Sequence, residues 1–183
     1  GEVYEVLPGK AVMKPSMEGT PFSDSLNFTE GFYEFTVVNE TDEDSPASQD
    51  SIHSVDIRFT GNNGQTYKID SIDIIHKADT AGHHTFFGGV GQNEMMHGDT
   101  GIGNSLMPKL LSYITLWGKT DLKDAETDTV VASDRLIHIM TTTNVRDENL
   151  EMIPSSEVDS SDYNIRNAQT HIILPPENTK GEM

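Results

Sequence analysis

The chain has 183 residues, 34% of them hydrophobic, with 12 Lys and Arg against 30 Asp and Glu, a formal charge of −18, and no cysteine. This length suits a single domain, residues 1–183, with a buried core, and the charge opposes nucleic acids and anionic membranes, which are held by cationic contacts. The lack of cysteine excludes disulfides, iron–sulfur clusters, thiolate zinc sites and cysteine nucleophiles, and no apolar run is long enough to predict membrane insertion.

In chain order, "GEVYEVL" (1–7) predicts an N-terminal edge strand. The chain begins without Met, as it would after removal of a signal peptide. Two sequons, Asn27-Phe28-Thr29 and Asn39-Glu40-Thr41, are compatible with export. The expected location is therefore periplasmic, cell-surface or extracellular. "GFYEFTVVN" (31–39) is a strand by its aromatic and β-branched content, followed by the acidic connector 39–50.

In "SIHSVDIRFT" (51–60) apolar residues alternate, so His53, Val55, Ile57 and Phe59 are expected on one face. "GNNGQ" is a turn signal and "TYKIDSIDIIHK" (66–77) the return strand, with a bulge expected near Ser71 where the apolar parity changes. "LLSYITLWGK" (110–119), "RLIHIMTTTNV" (135–145) and "THIILPP" (170–176) predict three more strands, the last stopped by Pro175 and Pro176. The acidic segments 118–134 and 155–169 are expected as surface loops, and 176–183 as a disordered tail. About seven strands with long polar loops predict an all-β antiparallel sandwich, immunoglobulin-like or cupredoxin-like, with a jelly roll as the alternative.

Between the strands lies Ala81–Pro108, with seven glycines, three histidines and the pair Met95-Met96. It is expected as an Ω-type loop. Its "GDTGIGNS" lacks the lysine that a phosphate loop needs before the serine, and Met107 stands where a serine-hydrolase elbow needs glycine. The glycines are expected to let the backbone turn sharply and pack closely.

Seven histidines are spread through the chain. His138 and Met140 share one face of a strand that is apolar on both faces. His171 lies in the last strand and is expected opposite His138. His97 follows Glu94, Met95 and Met96, and His83 and His84 precede two phenylalanines. Imidazole suits copper, zinc and iron, and thioether sulfur favours monovalent copper. His84, His97, His138 and His171, with Met140 or Met96 and with His83 as a further candidate, are the predicted ligand set. Without cysteine this is no blue-copper electron-transfer centre. The His-x-Met pair resembles, in that feature alone, periplasmic copper-handling β-sandwiches that use His and Met. His53 and His76 are left outside the set, and the acids at 121, 124, 126 and 128 lack the calcium-loop pattern.

The expected function is that of an exported metal-binding or metal-transfer protein, copper first and zinc or iron as alternatives, with no covalent chemistry. A metal-free surface interaction module with a protein partner is the second expectation. The third is a metal-dependent enzyme using Glu94 or Asp99 as acid or base.

Overall fold

The computed structural model describes residues 3–6, 26–39, 50–76, 79–81, 84–86, 88–104, 109–143, 146–151 and 168–174. Among them there is no helix, and every strand pairing is antiparallel. The strands are β1 (Val3–Val6), β2 (Leu26–Thr29), β3 (Gly31–Val38), β4 (Ser51–Thr60), β5 (Thr66–Ile69), β6 (Asp73–Ile74), β7 (Asp79–Ala81), β8 (His84–Phe86), β9 (Val90–Met96), β10 (Gly103–Asn104), β11 (Leu110–Asp124), β12 (Val130–Thr142) and β13 (Gln169–Ile173). The main sheet runs β13-β12-β11-β5-β4-β3, with β6 and β9 also paired to β11, and it curls into a half-barrel. Separate small sheets are β1-β2 and β10-β8-β7. The expected all-β antiparallel character is present, whereas the two facing sheets of a sandwich are not defined by the described residues.

The organising element is β11, which pairs with β12 along one edge and with β9, β6 and β5 in succession along the other. One face carries the core: Leu116, Ile137 and Ile139 pack with Ile57, Ile69, Ile72 and Val90, flanked by Phe35, Val55, Ile114 and Ile172. Each such side chain contributes about 1.5–3 kcal/mol on burial. The opposite face of the same strands is buried as well, with Met96, Leu110, Thr115 and Met140 all at 0% exposure.

Four expectations need correction. The acidic segment 118–134 is mostly strand, because β11 and β12 form one long hairpin closed by a turn at Asp124–Thr129. Its charged residues hid the pattern, but they form ion pairs: Lys119 with Asp134 across the hairpin, Lys123 with Asp70 just past β5, and Lys68 of β5 with Asp128 of the turn. The glycine-rich 81–108 segment is not one Ω-loop; it contributes β8, β9 and β10, and β9 is a seven-residue partner of β11. Near Ser71 the strand breaks instead of bulging. β5 ends at Ile69, β6 pairs with Gly118 and Lys119, and the Ser71 carbonyl accepts the Thr120 hydroxyl at 2.6 Å. The bulge falls at His53, where the β3–β4 register shifts, so Ile52 joins the core and His53 is exposed.

Candidate functional site

The outer face of β11, β12 and β13 brings chemistry-bearing side chains into register. Thr115 is paired with Met140, and Met140 with His171, so the three form one row across three strands. Opposed side chains in an antiparallel pair have Cβ atoms about 4.5–5.5 Å apart. Trp117, His138 and Ile173 form the next row. The expected opposition of His138 and His171 is thus displaced by two residues: β13 lies at the sheet edge in a register that sets Met140, not His138, against His171. Met96, the last residue of β9, is paired with Leu110, and both are fully buried.

His171 is half-buried as a residue because its strand is an edge, yet its Nε2 lies out of solvent. That nitrogen has no hydrogen-bond partner among the described residues, and neither has the buried Thr115 hydroxyl in the same row. Burial pushes the His171 pKa down from 6.5 to about 4, with the Arg146 guanidinium and then His97 adding repulsion. The imidazole is neutral at pH 7, the state in which it has a lone pair to offer. Arg146 is itself buried. Its Nη1 donates to the Leu150 carbonyl at 2.8 Å, and its own carbonyl accepts the Gln169 amide at 3.3 Å.

His97 is 3% exposed and has φ 63, in the left-handed region that a non-glycine side chain enters only under constraint. The constraint is a tight loop. His97 N donates to the Ile102 carbonyl at 2.8 Å, and the His97 carbonyl accepts the Thr100 amide at 3.2 Å and the Thr100 hydroxyl at 2.8 Å. Gly98, Gly101 and Gly103 in this loop also have positive φ. Gly103 lies close beside the imidazole: a Cβ there would stand 2.6 Å from His97 Cε1 and 2.7 Å from Nδ1. Gly103 and Asn104 pair with Thr85 and His84, so the backbone of His84 lies one strand beyond the residue that abuts His97.

His138 is 7% exposed, and its ring stacks on Trp117 with centroids 4.1 Å apart and planes at 9°. Its Nδ1 lies 2.9 Å from the Leu116 carbonyl. A carbonyl only accepts, so Nδ1 carries the proton and the lone pair is on Nε2, the arrangement that orients many metal-binding histidines.

Of the predicted ligands, Met140, His138 and His171 share the outer face, Met96 ends β9 next to His97, and a charge on His97 would repel one on His171. His84 is placed by backbone alone, and His83 lies outside the described residues. The predicted tail 176–183 lies outside them too. Among the described residues no three His, Asp or Glu side chains converge as a metal-binding group, so the full four-histidine set is not assembled there. His53 and His76 are exposed and away from the site. The candidate acid Asp99 points to solvent and pairs with Lys109 at 3.4 Å. Sequence reasoning missed Thr115, Arg146 and Gly103. Thr115 was readable as a row partner once β11 was placed, whereas Arg146 and Gly103 act through contacts that no local pattern marks.

Comparison of the chain with family models, with curated proteins and with solved structures finds no match. The fold and site therefore define only a class: an antiparallel β protein with a row of threonine, methionine and histidine running across β11, β12 and the edge strand β13.

Proposed function

We propose that the protein binds one soft transition-metal ion, monovalent copper first and zinc or iron(II) second, on the outer face of β11–β13. Met140 and His171 are the central ligands, with His97 beside them and Met96, His138, His84 and His83 completing the candidate set. The observation that carries this reading is the Thr115–Met140–His171 row, in which two buried polar atoms without hydrogen-bond partners among the described residues flank a thioether. Buried polar atoms are normally satisfied, and an ion or an ordered water is the usual explanation when they are not. The thioether selects for monovalent copper. Arg146 does the same: a fixed positive charge opposes an added cation, and it opposes a monovalent one least.

In this proposal the small β10-β8-β7 sheet, touching His97 through Gly103, is the second layer over the site, which would complete a sandwich of the cupredoxin-like kind. An exported location belongs to the same proposal; both sequon asparagines, Asn27 and Asn39, are exposed. The role is metal binding or transfer, with no covalent step. Stoichiometric titration with monovalent copper, zinc and iron(II) tests the reading, with His171→Ala as the variant expected to lose binding.

A metal-free interaction module remains the second reading. It is favoured by the exposed aromatic residues Phe32 and Tyr33 on β3, the last strand on the main sheet's path. A titration without metal uptake, together with capture of a protein partner that is lost in Phe32→Ser, would support it. No described helix is long and apolar enough to cross a membrane.

A further inference from the structure

The loop 97–103 has a property that its glycine content alone does not explain. Gly101 and Gly103 both have φ in the left-handed region, +81 and +73, where an added side chain is strained. They differ in what a side chain would meet. At Gly101 nothing lies within 4 Å of an added Cβ, whereas at Gly103 the His97 ring is the nearest neighbour on three counts, with Cε1 at 2.6 Å, Nδ1 at 2.7 Å and Nε2 at 3.5 Å. The ring cannot retreat freely, because His97 is 3% exposed and its backbone is held at both ends by the Ile102 carbonyl and by Thr100. The other wall is fixed too, since Gly103 is held in the β10–β8 pairing opposite Thr85.

We infer that Gly103 is a positioning residue for the metal site: its bare backbone is the surface against which the His97 imidazole is set, and any side chain at 103 displaces that imidazole from the ion. This rests on the proposed metal binding by the His97, Met140 and His171 face. Gly103 touches no metal itself; it acts through the angle and depth of one ring, and misplacing an orienting partner of a ligand costs about 10–100-fold in affinity.

The test compares Gly103→Ala with Gly101→Ala in the full chain. Both put alanine at a positive φ, so the pair separates backbone strain from loss of ring clearance. Two quantities are read: affinity for monovalent copper by competition with a chelator, and the His97 imidazole resonances of the metal-free protein by NMR. Gly103→Ala is expected to weaken copper binding about tenfold or more and to shift the His97 ring signals. Gly101→Ala is expected to leave both unchanged. Should Gly103→Ala be too unstable for titration, a double-mutant cycle replaces it, and Gly103→Ala is expected to cost less stability in the His97→Ala background than in the wild type. Unchanged affinity and unchanged His97 signals in Gly103→Ala overturn the inference, as do equal losses in the two glycine variants or an additive cycle. If the wild type takes up no copper, the metal reading fails, and the ring signals still decide whether Gly103 sets His97.

Discussion

Met140 and His171 stand directly opposite each other on β12 and β13, the methionine without solvent exposure and the imidazole with its Nε2 buried. The pairing sets a polarizable sulfur against a neutral nitrogen in the middle of the edge strand β13. Packing alone would be served by any apolar pair here. A histidine at the place carries the desolvation cost of a buried polar atom, of the order of 1–3 kcal/mol when it is unsatisfied. In the proposed site, coordination of an ion by Nε2 would offset that cost.

Met140→Leu is nearly volume-conserving, so it is expected to change stability by less than about 1.5 kcal/mol, measured by urea unfolding. Its copper affinity is expected to fall by more than about tenfold, because leucine offers no donor. A variant as stable and as tightly binding as the wild type would remove Met140 from the ligand set.

The depressed pKa of His171 makes stability depend on pH with a definite sign. The folded value, about 4, lies below the ordinary value of 6.5, so the unfolded chain takes up the proton first as pH falls. Stability is complete above pH 6.5 and declines as pH drops from there to about 4. The loss attributable to this one group approaches about 3 kcal/mol, at about 1.4 kcal/mol per unit. Urea unfolding of the metal-free protein across pH 7 to 4 reads it. His171→Gln is expected to flatten that part of the profile, and an unchanged slope would mean that another group carries it.

Asp124 acts in a lower window. Its Oδ1 accepts the amides of Glu126 and Thr127 and the Thr127 hydroxyl, and its Oδ2 accepts the Gln65 amide at 2.7 Å. The Thr127 amide first, then the Gln65 side chain, hold its pKa down to about 2. The contribution is present above pH 3.8 and lost as pH falls through about 2. Asp124→Ala is expected to speed amide exchange at Glu126 and Thr127 at neutral pH, with the rest of the sheet unaffected.

Gly118 is where β11 receives β6. A Cβ there would crowd Ile72 and stand 2.8 Å from the Asp73 carbonyl, which is backbone and cannot yield cheaply. Gly118→Ala is expected to destabilise the protein by about 1–3 kcal/mol in urea unfolding. Wild-type stability would show that β6 is loosely held.

Much of the fold was legible because alternation is a strong local signal. Gly31–Val38, the turn at Gly64 with the strands that flank it and the strands carrying Trp117 and His138 read correctly, but the return strand of that hairpin stops at Ile69. β9 did not, because Gly91, Gln92 and Asn93 carry no alternation, and what makes them a strand is the waiting edge of β11. The hairpin end at Leu122–Val130 was hidden because its ion pairs join residues far apart in sequence. In the candidate site, the residue types and the shared face of His138 and Met140 were readable. Registers were not: which residue opposes His171 is fixed by strand pairing across about thirty residues, and a shift of two exchanges Met140 for His138. The left-handed φ of His97 and its contact with Gly103 are tertiary facts with no local signature.

The central claim is tested most directly by titrating the purified, metal-free protein with monovalent copper against a competing chelator, beside His171→Ala. One equivalent bound by the wild type, and its loss in the variant, is the predicted result. No uptake by the wild type, or equal uptake by His171→Ala, would contradict the account.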